Sequence, residues 1–208
     1  MENQNDIHRE LTSLPVGKLL WKYSVPAIVG TMVMSLYNVI DRIFIGQGVG
    51  PLAMTALGIC MPIMSITAAF GAMVGVGGSA LASIRLGQGN KAAAFRILGN
   101  IVLLNLIFGV ATMVTCLLFL DKLLFLFGAS EATIGDAHEY MTILLWGNVI
   151  THLYLGLNAI LRSTGYPTKS MVVMLISVVV NCVLDPLFIF GFKWGIAGSA
   201  YATVIAQS

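Results

Sequence analysis

Residues 97–120 read ILGNIVLLNLIFGVATMVTCLLFL, 24 consecutive residues without an acidic or basic side chain. A helix of that length spans about 36 Å, more than the roughly 30 Å hydrocarbon core of a bilayer. Residues 171–189 form a second such run, interrupted only by Asp185 near its end. Of the 208 residues, 58% are hydrophobic and 10% charged, against roughly 25% charged in an average soluble domain. A soluble fold cannot hide that much apolar surface, so lipid is the solvent and the fold class is all-α, polytopic in a membrane.

Working outward from these runs, apolar segments are expected at about Leu19–Phe44, Leu57–Leu81, Ile97–Leu120, Met141–Leu161 and Met171–Ile189. A sixth starts near Ile196 and reaches only Ser208. Its 13 residues cover about 20 Å, too short to cross, and the reading expects a truncated chain with more helix downstream. Residues 1–18 are polar and mixed in charge, without the short apolar core of a removable signal peptide, and residues 19–208 form one transmembrane lobe.

Arg85, Lys91 and Arg96 lie between the second and third segments, Arg162 and Lys169 between the fourth and fifth, and Arg9, Lys18 and Lys22 at the start of the first. The opposite side has Arg42, Lys122 and Lys193 together with Asp121, Glu131, Asp136 and Glu139. Because cytoplasmic loops are enriched in Lys and Arg, the N-terminus is expected in the cytoplasm. A net charge of +2, scattered among apolar segments, excludes a nucleic-acid surface. Cys60, Cys116 and Cys182 have no CxxC spacing or neighbouring histidines and read as packing residues, so neither disulfide nor transition-metal site is expected.

Ionisable side chains inside a membrane cost roughly 2.5–3.5 kcal/mol each on insertion scales, which makes them functional candidates. Asp41 lies 19 residues beyond Lys22, about 28 Å along a helix, and Asp185 lies 16 beyond Lys169, about 24 Å. Thr203, 10 residues inward from Lys193, falls at a comparable depth. Tyr37 stands one turn before Asp41, and Asn181 one turn before Asp185, which are same-face spacings. Packed together, Tyr37, Asp41, Asn181, Asp185 and Thr203 would form a cluster of oxygen ligands suited to Na⁺ or to a bound proton. Two carboxylates there cannot both ionise cheaply, so one would hold a proton until a cation arrives. The plainer readings are an interfacial Asp41 paired with Arg42, and an Asp185 that satisfies backbone donors before Pro186.

Asn148, His152 and Asn158 are polar residues in the fourth segment, read as interhelical hydrogen bonds, with a substrate, proton or cavity role for His152 and Asn158 as the alternative. Gly71 and Gly75 make a GxxxG pair for close helix packing. Pro26, with Gly30 nearby, would let the first helix bend, making Pro26 the candidate conformational hinge.

YNVIDRIFIG at 37–46, RLGQGN at 85–90, LRSTGYPTKSM at 161–171, NCVLDPLFIFG at 181–191 and GIAGSAYATVIAQ at 195–207 together resemble the N-terminal half of the multidrug and toxic compound extrusion (MATE) family. The resemblance implies a six-helix lobe, half of a twelve-helix transporter, with a second lobe enclosing a central cavity. It further implies a non-enzymatic bacterial inner-membrane antiporter that exports small lipophilic organic cations in exchange for H⁺ or Na⁺, with no other cofactor. Tyr37, Asp41, Asn181, Asp185 and Thr203 stand at positions resembling the family's coupling-ion site, with Ser199 as a small neighbour. The missing partner would be the C-terminal lobe or a second copy of the chain.

Three other readings compete. A lipid-linked oligosaccharide flippase would call for a more cationic interior. An intramembrane aspartyl protease would use two helical aspartates, but its usual YD and GxGD contexts are missing. A non-transporting scaffold subunit would leave the aspartates silent.

Overall fold

The structure, a computed structural model, describes residues 13–208; residues 1–12, with His8 and Arg9, lie outside the described residues. The elements are α1 (Val16–Gly48), α2 (Pro51–Gly87), α3 (Lys91–Leu118), α4 (Leu120–Leu126), α5 (Ile134–Trp146), α6 (Asn148–Ser163), α7 (Pro167–Pro186), a π-helical turn (Leu187–Gly191) and α8 (Gly195–Gln207). Local chemistry sets several of the starts. Pro51 and Pro167 occupy first-turn positions, where the missing N–H costs nothing. Asn90 caps α3, its side chain accepting from the Ala93 N–H at 3.0 Å.

Among the described residues, four helices are long and apolar enough to cross a membrane: α1, α2, α3, and α7 continued through the π turn. The α5–α6 pair makes a fifth span if taken together, although its halves meet at 55°. The third helix shows how lipid and neighbours divide its surface. Leu103, Ile107, Val110 and Val114 form an exposed apolar stripe, whereas Ile101, Asn105 and Gly109 form the buried one. Polarity points inward, as a lipid solvent requires.

Helices α2, α3 and α6 pack mutually, and α1, α7 and α8 form a second group, with α5 touching both α2 and α8. The GxxxG pair serves the first group. A Cβ on Gly71 would meet the His152 ring at 3.1 Å, and one on Gly75 would lie 2.8 Å from the Gly156 Cα. Between α2 and α3, a Cβ on Gly78 would collide with the Ile101 side chain. All three cysteines are free; Cys60 is fully buried and donates to the Ala137 carbonyl at 3.5 Å.

Beyond helix ends displaced by a few residues, three features differ from the sequence expectation. The segment expected over Met141–Leu161 is two helices broken at Gly147, which sits so close to Val204 of α8 that a Cβ would overlap it. Asn148 begins the second half and donates to the Gly109 carbonyl and to Thr112 Oγ1 at 3.0 and 2.8 Å, which ties the break to α3. The segment expected to end at Ile189 leaves α-geometry at Pro186, whose ring cannot donate to the ladder, and continues as the π turn to Gly191. The longest connection carries the unanticipated helix α4, whose Leu120 and Leu124 enter the core.

Candidate functional site

Where α1, α7 and α8 meet, five side chains singled out from the sequence come together. Asp41 is 7% exposed and Asp185 is fully buried, although each sits on a helix with extensive lipid-facing surface. Ser199 of α8 donates to Asp41 Oδ1 at 2.7 Å. The Asn181 amide, oriented with its nitrogen toward α7, donates to Asp185 Oδ2 at 2.5 Å, while its oxygen accepts from the Tyr37 hydroxyl at 3.3 Å and the Thr203 N–H at 3.2 Å. Tyr37 Oη and Thr203 Oγ1 are 3.2 Å apart.

Asp185 Oδ1 is buried and receives no hydrogen bond among the described residues, yet the two carboxyl groups lie within hydrogen-bonding reach of each other. Ionised carboxylates only accept. Such a pair therefore needs something positive between its oxygens, either a shared proton or a cation. Arg42 does not supply it: its guanidinium turns outward to Met61 Sδ at 3.1 Å.

A cavity of 20 Å³ adjoins the cluster, lined by Tyr37, Tyr154, Ser177, Asn181, Thr203 and Gln207 among others, and it has room for about one water. Tyr154, Ser177 and Gln207 also line an open cleft of 690 Å³ between α6, α7 and α8. The small cavity thus shares Tyr154, Ser177 and Gln207 with the cleft, and Tyr37, Asn181 and Thr203 with the carboxyl cluster.

Of the two residues named for a cavity, Asn158 lines the cleft, whereas His152 does not. His152 is fully buried between Gly71 and Gly109, in the packing of α6 against α2 and α3. Neither of its ring nitrogens has a hydrogen-bond partner among the described residues. Asn158 accepts from Ser170 Oγ at 2.6 Å, which joins α6 to α7. Replacing Ser170 by Ala should strand that buried amide oxygen and lower stability by about 1–3 kcal/mol. Thermal unfolding in detergent measures it, with Ser170→Thr, which keeps a hydroxyl, expected to recover most of the loss.

Pro26 lies within α1, which runs without interruption from Val16 to Gly48. Gly30, one turn on, is buried against Met174 of α7. Sequence reasoning left Tyr154 and Tyr140 out of the site. Tyr154 shares a face of α6 with Ile150, Leu157, Asn158 and Leu161, a spacing readable in advance had the tyrosine been scored as polar. Tyr140, 2% exposed on α5, lies near enough to Asp41 and Asp185 to feel their charge, and no local pattern announces it.

The described residues thus form a helical membrane lobe with a buried carboxyl pair where α1, α7 and α8 meet. The chain belongs to the MatE family, whose model matches residues 26–187. It is 29% identical over 198 residues to the multidrug export protein MepA of Staphylococcus aureus, covering 93% of this chain and 43% of MepA. Among solved structures, the fold is similar to MATE in the bent conformation (TM-score 0.89, 31% identity, 100% of this chain and 45% of that one). It is also similar to MATE in the straight conformation (TM-score 0.84, 34% identity, 90% and 42%). The chain spans less than half the length of the curated relatives it matches.

Proposed function

We propose that this chain supplies the ion-coupling lobe of a secondary antiporter that exports small lipophilic cations in exchange for H⁺ or Na⁺ at the bacterial inner membrane, with its N-terminus in the cytoplasm. The observation that carries the reading is the pair Asp41 and Asp185, buried together from two different helices and held by Ser199 and Asn181. A carboxyl pair costly to bury, with no ion-pair partner among the described residues, supports reading the site as a place for a transported ion. Oxygen ligands from both carboxyls, Asn181, Thr203 and Tyr37 suit Na⁺ or a shared proton. Named relatives are multidrug exporters, which supports a drug-like cation as cargo in the cleft.

The mechanism follows from where the ligands sit. Asp41 belongs to α1, Asp185 to α7 and Ser199 to α8, so filling the site draws three helices together and emptying it loosens them. Coupling requires that the ion favour one arrangement, since a ligand binding both equally shifts neither. Pro26 gives α1 its bending point, below the site and beside the close contact of Gly30 with α7. That MATE neighbours have been solved in a bent and in a straight conformation supports a two-state transporter. A second lobe, from a longer chain or a second copy, would close the cleft.

The test is thermal stability of the purified chain across pH and in Na⁺ versus K⁺. A proton- or Na⁺-dependent rise in the unfolding midpoint is expected in the wild type and should vanish in Asp41→Asn/Asp185→Asn. Identical curves for both proteins under every ion condition would remove the coupling role.

A further inference from the structure

At the opposite ends of the helices from the carboxyl pair, α2, α3 and α6 diverge around a cavity of 160 Å³. Ala82, Leu86, Ala94, Phe95, Leu98 and Ile160 give it an apolar wall, and Thr164 and Tyr166 stand at its edge. Among the described residues, the charged side chains beside it are all basic. Lys91 is one turn before Ala94 and Phe95 on the same side of α3, Arg85 is one turn after Ala82 on α2, and Lys169 Nζ lies 4.1 Å from the centroid of the Tyr166 ring. Arg96 and Arg162 belong to the same helix ends.

No acidic residue occurs between Asp41 and Asp121, or between Glu139 and Asp185, so the stretches that build this end carry positive charge alone. Helices α3 and α7 begin here and α2 and α6 end here, so their dipoles offset one another and the basic side chains set the charge of this end. An apolar slot with Lys91, Arg85 and Lys169 on the helix ends beside it matches one amphiphile: an acyl chain attached to an anionic headgroup.

We infer that this cavity is a binding site for an anionic phospholipid of the leaflet that faces the basic loops, with an acyl chain against Ala94, Leu98 and Ile160 and the headgroup phosphate between Lys91, Arg85 and Lys169. A zwitterionic lipid offers the same chain but no net charge to the lysines. A soluble phosphate offers the charge but nothing for the apolar wall. The site is independent of ion coupling, since neither Asp41 nor Asp185 contributes to it.

The experiment is native mass spectrometry of the purified chain in detergent, titrated with phosphatidylglycerol, with phosphatidylcholine of identical acyl chains, and with glycerol phosphate. One phosphatidylglycerol should be retained at least fivefold more than phosphatidylcholine, and glycerol phosphate not at all. Ala94→Phe, which fills the slot, should abolish retention. Lys91→Gln/Lys169→Gln, at exposed positions where folding is not in question, should reduce it at least fivefold, while Lys122→Gln at the other end should leave it unchanged. Equal retention of the two lipids, binding of glycerol phosphate as strong as that of the lipid, or undiminished retention in the double lysine variant would each overturn the assignment.

Discussion

Gly75→Val is expected to lower the unfolding midpoint by about 6–12 °C, the equivalent of about 3 kcal/mol in a chain of this size. Here α2 meets α6 backbone to backbone, and a Cβ at position 75 would sit 2.8 Å from the Gly156 Cα. A side chain obstructed by another side chain can rotate away; one obstructed by a Cα must push two helices apart. That separation would also loosen the His152 contact with Gly71 and the Asn105 contact with Gly156, each packed against a neighbouring glycine. Gly77, two residues away, has open space around its Cβ direction. Gly77→Val therefore serves as the control, and thermal unfolding of the two variants side by side checks the argument. If both unfold at the wild-type midpoint, the α2–α6 contact is not the tight junction described.

Asp185→Asn, introduced into a complete two-lobe transporter carrying this lobe, is expected to cut ion-driven export about 5–150-fold, the range of ordinary coupling free energies. The substitution is nearly isosteric, so the contact with Asn181 can persist through an amide, and the protein should reach the membrane in normal amounts. What it removes is the capacity to share a proton or hold a cation opposite Asp41. Dye efflux from proteoliposomes driven by an imposed proton or Na⁺ gradient measures the loss, and wild-type rates in the variant would refute the role. Binding of the dye without a gradient should change little, because Asp185 is fully buried while the cleft is lined from other positions.

Much of this architecture was legible because lipid imposes simple rules. A run such as 97–120 has one stable outcome in a bilayer, and the chain obeys it with α3. The carboxyl cluster was equally readable, since charge in such runs is rare enough to draw attention and helical spacing puts Asn181 on the side of Asp185. The observed 2.5 Å contact is that spacing realised. Tyr37 illustrates the limit of the same logic. It is one turn from Asp41, yet its hydroxyl reaches across to Thr203 on α8, a partner 166 residues away that no local pattern specifies.

The unread features share that character. The break at Gly147 depends on Val204 of another helix, and a lone glycine in an apolar segment is otherwise unremarkable. The π turn follows Pro186, a residue visible in the sequence, but the close approach of Phe188 to Gly198, where an added Cβ would lie 3.0 Å from the Phe188 backbone, is a contact between segments that no local pattern specifies. The basic-rimmed cavity depends on three helix ends diverging, which periodicity does not describe.

The bond between Ser199 and Asp41 spans 158 positions of the chain. At a synthesis rate of about 5–20 residues per second, the ribosome makes Ser199 about 8–30 s after Asp41. During that interval the nascent first helix presents an acidic side chain to the insertion machinery and the surrounding lipid without the hydroxyl that later holds it. Biogenesis must therefore shelter or neutralise Asp41 until α8 arrives, and the order in which helices leave the translocon becomes part of how the site is assembled.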